Sequence, residues 1–367
     1  MGAKVYIGHS KENIKGTPKI VISSAIKENN PELIEAKEKG LEIIHRSDCL
    51  KFISEKYETF IGLSGTHGKT TTSGMLSFIL DKMKLNPAYA IGGIIPKLNI
   101  NANAYDNSKY FIAELDESDG TIVKYNPDLL VINNLEADHL DFYKNGLKDI
   151  IKTFEQLTSK MKENSKLFLN IDNEGIKEFL LQTKYKKENI ITYSINSKSD
   201  YIAKNIKFID LETKFDIYKK DKFIGTINLI IPGIHNIYNT LAIISILDSL
   251  GYEFNSYSKY FSEFSGMGRR FQLIADNNDI KIIDDYAHHP SEIKATLNAI
   301  KNVQKNKVII FQPHRYTRLK GLWNEFLDCF NDINKLFILD VFSAGDEFDN
   351  EFNSENFTKE IIKKGID

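Results

Sequence analysis

Only two cysteines occur in 367 residues, Cys49 and Cys329, far apart along the chain. That scarcity excludes a disulfide scaffold and suits a reducing compartment in which both thiols are buried or idle. Charge of one sign is also lacking: 48 Lys and Arg stand against 50 Asp and Glu. Electrostatic capture of nucleic acid or of an anionic membrane therefore has no basis, and small molecules are the expected partners. No apolar run approaches the roughly 18 residues that cross a bilayer. The opening "MGAKVYIGHSKEN" has no hydrophobic signal region, and its sixth residue is not the Ser or Thr of a myristoylation signal. A cytoplasmic location is expected. Repeats and low-complexity tracts are absent.

What is present is length enough for two or three domains, with short apolar runs alternating with helical periodicities. That alternation predicts α/β architecture, parallel sheets flanked by helices. Three blocks separate. Residues 1–57 give strand "KIVISSA", helix "PELIEAKEKG" and strand "LEIIH", a fragment of an α/β domain. Residues 58–264 open with strand "TFIGLSG" and a helix whose Leu76, Ile79, Leu80 and Met83 recur at threes and fours. Strands "KYFIAEL" and "DLLVINN" follow, then a small antiparallel patch over 190–231 and a helix after "PGIHN" stopped by Gly251. Residues 265–367 read as strand "KIIDD", helix "SEIKATLNAIK", strand "KVIIFQ", helix "LWNEFLDCF", strand "KLFILDVF" and a last helix, a doubly wound unit that is unfinished.

A further absence sharpens the reading of "TFIGLSGTHGKTTTSG". The usual phosphate-loop spelling G-x-x-x-x-G-K-[ST] needs glycine at position 63, where this chain has Leu63. A strand still precedes the loop and a helix follows it. Gly65, Thr66, His67 and Gly68 would bring backbone N–H groups to a phosphate, Lys69 would reach its outer oxygens, Thr70 would hold Mg²⁺, and Thr71 completes the loop. The bland alternative is a tight turn carrying a surface lysine. Glu114, Asp116, Glu117 and Asp119 in "AELDESDG" crowd at one strand end, and Glu136, Asp138, His139 and Asp141 in "NNLEADHLDFY" at the next. Either cluster alone is an ordinary acidic turn; together they suit a metal. Asn236 in "PGIHNIYN" would cap a helix or read an adenine edge. Arg269 and Arg270 in "GMGRRFQ" and Arg315 and Arg318 in "FQPHRYTR" are forks for phosphate or carboxylate, or plain surface arginines. Asp284, Asp285, Tyr286, His288 and His289 in "DDYAHHPSE" are dense at a strand's carboxyl end, where sites gather.

In order along the chain, "VYIGHSKENI", "VISSAI", "GTHGKTTT", "AELDESD", "NNLEADHLDFY", "PGIHNIYN", "GMGRRFQ", "DDYAHHPSEI" and "FQPHRYTR" resemble the Mur ligases of bacterial cell-wall synthesis. The family's loop is spelled G-T-x-G-K-[ST], so Leu63 agrees with it. The resemblance implies a three-domain α/β architecture: a partial Rossmann-like N-terminal domain (1–57), a central P-loop ATPase domain (58–264) and an incomplete doubly wound C-terminal domain (265–367). It implies ATP and Mg²⁺, and an acyl phosphate route joining L-alanine to the lactyl carboxylate of UDP-N-acetylmuramate. By position, Lys69 and Thr70 would meet phosphates and Mg²⁺, with Glu114 and His139 as metal ligands. Asn236 would contact adenine, Arg269 the phosphates and Asp285 the ribose. His288 would lie near the incoming alanine, with Tyr286 limiting its size, and Arg315 and Arg318 would hold a carboxylate. Ser23 and Ser24 would face the UDP-sugar.

The family's G-x-G-G-x-G turn is missing, and the last strands are too. A fragment incomplete at both ends is therefore the expectation, either an active ligase or a remnant that binds ATP more readily than it turns over. The family's tripeptide-recycling sister enzyme is a further alternative. A P-loop kinase or GTPase is disfavoured, having no place for "NNLEADHLD" or "DDYAHHP".

Overall fold

A computed structural model describes residues 4–366 apart from 106, 141, 278, 279, 302 and 304. The first block forms β1 (Ile20–Ile22), α1 (Pro31–Glu38), β2 (Ile43–His45) and α2 (Arg46–Ser54). Helix α1 starts where Pro31 follows Asn30, whose side chain accepts the N–H groups of Glu32 and Leu33. β1 and β2 pair in parallel from Ile20↔Ile43 to Ile22↔His45, as the alternating pattern predicts. The sequence reading assigns no helix to 46–54. His45 starts one there, its Nδ1 accepting the Ser47 N–H at 3.2 Å.

The second block contains β3 (Thr59–Ser64), α3 (Lys69–Lys82), β4 (Ala88–Ile95), β5 (Ile100–Asn103), β6 (Tyr110–Glu114), β7 (Leu129–Ile132), α4 (Leu147–Thr158), β8 (Lys166–Asn170), α5 (Glu174–Gln182), β9 (Ile190–Ser194), β10 (Tyr201–Ile209), β11 (Glu212–Lys219), β12 (Lys222–Leu229), α6 (Ile234–Ser249) and α7 (Phe254–Tyr257). Its strands form one sheet of ten in the order β12-β11-β10-β9-β8-β7-β3-β6-β4-β5. The antiparallel patch expected over 190–231 is thus not separate. β9 pairs in parallel with β8 on one side and β10 on the other, so the ribbon β10–β12 simply continues the sheet.

Alternation decides the packing. Ile61, Leu63, Ile112 and Val131 turn to the face covered by α3 and α6, and Phe60, Phe111, Ala113, Leu130 and Ile132 to the face covered by α4 and α5. α4 buries one stripe, Ile150, Ile151, Phe154 and Leu157. α3 buries Thr70 and every residue from Thr72 to Leu80, lying between sheet and α6. From β3 the chain runs to β4 and back to β6 on one side, and β7 then lies on the other side. That reversal leaves a crevice at the carboxyl ends of β3 and β7, where sheets of this kind bind ligands.

The third block contains β13 (Gln272–Asn277), β14 (Ile280–Asp284), α8 (Pro290–Ala299), β15 (Val308–Phe311), α9 (Tyr316–Gly321), α10 (Trp323–Leu327), β16 (Lys335–Ile338) and α11 (Ser354–Lys363). β15 and β16 pair in parallel over a core of Phe311, Phe326, Phe330 and Phe357. The strand expected at "KIIDD" does not join them among the described residues. It pairs antiparallel with β13, a strand absent from the sequence reading, from Gln272↔Asp284 to Asn277↔Ile280. Cys329 is buried and Cys49 half-buried, both free, as the cysteine scarcity predicts.

Candidate active site

The turn after β3 is built around two glycines. Gly65 has φ 119° and Gly68 φ 84°, and a Cβ on Gly65 would sit 2.9 Å from the Asn134 carbonyl. Only glycine occupies such backbone without strain. Leu63, by contrast, is a fully buried core residue of β3, so the turn begins two residues later than the usual spelling requires. Gly68 is the N-cap of α3 and no side chain bonds the first turn, which leaves its N–H groups and the positive end of the helix facing the crevice.

That crevice is a cavity of about 310 Å³ lined from three directions. Thr66 to Thr71 form its floor, the ends of β6 and β7 supply Glu114, Asn133, Glu136, Asp138 and His139, and α6, the turn before β13 and the stretch from the end of β14 into α8 supply Asn236, Arg270, Asp285, His288 and Glu292. The sequence-predicted Thr66, His67, Gly68, Lys69, Thr70, Thr71, Glu114, His139, Asn236, Asp285 and His288 therefore converge. Gly65, Arg269, Tyr286, Arg315, Arg318, Ser23 and Ser24 are not among the lining residues.

Lys69 curls over its own loop. Its Nζ donates to Gly65 O at 2.8 Å, to Thr66 O at 3.2 Å and to both oxygens of Glu117 at 2.9 and 3.2 Å. Burial alone would lower the ammonium's pKa, but Glu117, Asp116 and Glu114 outweigh it and raise it, keeping Lys69 charged. Thr70 Oγ1 donates to Glu114 Oε2 at 2.9 Å, and the Gly92 N–H reaches the same oxygen at 2.9 Å. Among the described residues, Asp116, Glu117 and His139 bring one ligand atom each within 4.8 Å of one another. Glu117, only 1% exposed, thus belongs to this group, whereas Glu114, the ligand the resemblance implies, is outside it and bonded to Thr70. His139 reaches the group from a left-handed backbone, φ 51°. Asp141 lies outside the described residues.

Asn236 does not cap α6, because Gly233 holds that position. Its Nδ2 donates to Pro232 O at 2.7 Å while its Oδ1 accepts from Asn239 at 3.2 Å, which fixes the amide at the cavity edge. Of the adjacent arginines, Arg270 turns inward, 3.6 Å from Glu292, and Arg269 lies over the Tyr286 ring at 5.0 Å. Asp285 accepts from the Thr296 hydroxyl, and burial pushes its carboxyl up. His288 Nδ1 lies 2.8 Å from Tyr286 O, and burial pulls its ring down.

A second, smaller cavity of about 50 Å³ adjoins the first, and Asp138 and His139 line both. Arg315 and Arg318 line the small one. Arg315 is drawn to Asp346 by Nε and Nη2 at 3.1 and 3.0 Å. Arg318 Nη1 lies 3.1 Å from His314 Nδ1 and its Nη2 3.8 Å from Asp138. Two buried nitrogens in this region, Arg318 Nε and His289 Nε2, have no hydrogen-bond partner among the described residues. Because His289 Nδ1 accepts the Ser291 N–H, the neutral ring carries its proton on Nε2. Both nitrogens are therefore donors, which suits an oxygen-rich partner. Ser24 stands apart from both cavities. Its hydroxyl meets His45 Nε2 at 3.1 Å and donates to Asp119, tying the first block to the acidic turn after β6.

Sequence reasoning passed over His67, Glu136 and Glu292 as an ensemble. His67 Nδ1 lies 3.3 Å from Glu292 and its Nε2 3.4 Å from Glu136. Only their common placement at loop and strand ends hinted at this.

Three family models match the chain in succession: Mur ligase family, catalytic domain, over residues 1–58; Mur ligase middle domain over 63–247; and Mur ligase, glutamate ligase domain, over 269–366. The UDP-N-acetylmuramate–L-alanine ligase of Fusobacterium nucleatum is 40% identical, covering 100% of this chain and 79% of that protein. The enzyme of the same name from Clostridium perfringens is 37% identical, again over 100% of this chain and 79% of its own. The solved UDP-N-acetylmuramate–alanine ligase of Thermotoga maritima, 25% identical, superposes with a TM-score of 0.82 over 98% of this chain and 78% of that one.

Proposed function

The chain belongs to the Mur ligase family, and from that premise we propose that it joins L-alanine to the lactyl carboxylate of UDP-N-acetylmuramate with conversion of ATP to ADP and phosphate. Its named relatives and its fold support that reaction. The observation that carries it is a single cavity uniting the open N-terminus of α3, Glu114 and His139 at the ends of β6 and β7, and the His288 wall of the third block. We take the blocks 1–57, 58–264 and 265–367 as domains serving the UDP-sugar, the nucleotide and the amino acid.

A carboxylate resists an amine because oxide is a poor leaving group. Transfer of the γ-phosphoryl makes it an acyl phosphate, the amine attacks, and phosphate leaves from the tetrahedral intermediate. In this reading the N–H groups of Gly68 to Thr71 hold the phosphates, those of Thr66 and His67 being taken by Asn134, and Lys69 follows the transferred group, its charge maintained by Glu117. The donors present are hard oxygens, carboxylates and a hydroxyl, with one borderline imidazole, a predominantly oxygen set that fits Mg²⁺. Thr70, Glu114 and His139 would hold the ion, with Asp116 and Glu117 beside them. When bound, it supplies neutralisation of phosphate charge. Asn236 and Asp285 are assigned to adenine and ribose, and Arg270 joins Arg269 as a phosphate contact because it lines the cavity. His288, with its lowered pKa, is neutral near pH 7 and able to accept a proton from the alanine ammonium. Tyr286 sits beside it, ring centroids 5.0 Å apart. Arg315 and Arg318 are assigned to the carboxylate of alanine, and the orphan donors near them suit that acceptor. Ser23 and Ser24 are assigned to the UDP-sugar. We take the protein to act in the cytoplasm, in keeping with such substrates.

The test is phosphate release with ATP, Mg²⁺ and UDP-N-acetylmuramate, adding L-alanine, the recycled tripeptide or a folate in turn. Release that depends on L-alanine is expected. Release without any alanine dependence sinks the reading, and tripeptide dependence would transfer the chain to the sister activity.

A further inference from the structure

We propose that His67 is a positioning residue that locks the third block onto the nucleotide loop through a double ion pair, Glu136–His67–Glu292. The proposal rests on the ligase reading for its consequence and on geometry alone for the lock.

The backbone of His67 is clamped on both sides by one amide: its N–H donates to Asn134 Oδ1 at 2.7 Å and its carbonyl accepts from Asn134 Nδ2 at 3.1 Å. The side chain projects from this fixed base between two carboxylates of different blocks. Nε2 lies 3.4 Å from Glu136, just past β7, and Nδ1 lies 3.3 Å from Glu292, in the first turn of α8. The Ser291 hydroxyl adds a contact to Nε2 at 3.0 Å. A neutral imidazole donates from one nitrogen only, so carboxylates at both nitrogens call for the imidazolium. Burial pulls the ring's pKa down, yet the two glutamates outweigh it and raise it to about 9.

Glu292 passes the constraint on. Its Oε2 accepts the N–H groups of His288 and His289 at 3.0 and 3.2 Å, so it is fixed to the backbone beside His288 whether or not His67 is present. The chain Asn134, His67, Glu292, His288 thereby joins the base of the phosphate loop to the residue assigned to the amine. A loop that shifts when phosphates bind moves His288 with it. The α8 cap survives loss of His67, so a His67 variant tests the lock and not the helix.

The experiment measures amide deuterium exchange over 288–295 in the full chain for His67→Asn, which is neutral, and His67→Lys, which keeps a cation. Exchange there is expected to rise about 10-fold or more in His67→Asn, to stay within about 3-fold in His67→Lys, and to leave β3 and β7 unchanged. Glu292→Gln, which keeps an acceptor for the cap, should give the signature of His67→Asn, and the double variant should be no worse than either single one. In turnover, His67→Asn should lower kcat about 10-fold with KM for ATP within about 3-fold, and His67→Lys should recover much of it. Unchanged exchange in His67→Asn, additive effects in the double variant, or equal impairment in both His67 variants overturns the lock. Absence of L-alanine-dependent turnover in the parent chain would instead overturn the ligase reading, with the exchange measurement still deciding the lock.

Discussion

At the start of α3, Gly68 holds the cap position and no side chain bonds the first turn, whereas at the start of α8 His289 and Glu292 close the turn with their own side chains. Both turns line the same cavity. Each helix offers the same partial positive charge and the same orphan N–H groups. The open end can take an anion from solution. The closed end already holds a carboxylate, and that carboxylate's second oxygen is turned to His67 on the open side. One wall is thus open to an anion and the other is bound to the first wall.

The sharpest break of this comparison is Lys69→Ala. It removes the cation that serves the open end and strands Glu117, which is 1% exposed. Turnover should fall about 10²–10³-fold, and a melting curve should show a loss of about 3–5 kcal/mol for the unpaired buried charge. Next comes pH. His67 is raised from 6.5 to about 9, so its contribution to native stability is fully present below 6.5, declines as pH rises and is lost above about 9. At about 1.4 kcal/mol per unit this amounts to about 3 kcal/mol. The groups facing the ring are Glu136 after β7 and Ser291, Glu292 and His289 on α8, with Arg270 bearing on Glu292. Denaturant titrations near pH 6 and pH 9.5 should show this slope in the parent and not in His67→Asn.

Gly68→Ala attacks the open cap directly. At φ 84° its Cβ would lie 2.9 Å from Asn239 Oδ1 and 3.0 Å from Asn133 Nδ2, so a cost of about 1–3 kcal/mol and weaker ADP binding by calorimetry are expected. His289→Ala attacks the closed cap and should cost about 0.5–2 kcal/mol with little change in ADP affinity. Should Gly68→Ala leave ADP affinity intact and His289→Ala reduce it, the two ends have been assigned the wrong way round.

The short apolar runs "TFIGLS" and "LLVI", buried on both faces, and the glycines of "GTHGKT" are local signals, and they made the central strands and the loop legible. β4 was not: Gly92, Gly93 and Pro96 break its pattern, and only the fold explains Gly92, where a Cβ would lie 2.6 Å from the Glu114 carboxylate. β13 was missed although its partner is the next strand, 280–284: the Asn and Asp residues in "ADNNDI" are a turn signal between two short apolar runs, and the sequence reading passed over it. The choice between Arg269 and Arg270 depends on a left-handed backbone at Arg269, φ 56°, which two adjacent arginines do not announce. Likewise "HHPSE" shows a helix start through its proline, but that Glu292 would meet a histidine of the phosphate loop is a matter of tertiary placement.

The burial of α3 between the sheet and α6 bears on how the protein is made. Thr72 Oγ1 donates to Asn239 Oδ1 across a separation of 167 residues, and the same amide lies against the cap glycine of the loop. A chain emerging from the ribosome exposes the apolar flank of α3 until α6 has followed it, and closing so long a loop is slow. Nucleotide binding therefore begins late in synthesis, and the growing chain needs protection from aggregation over the stretch between the two helices.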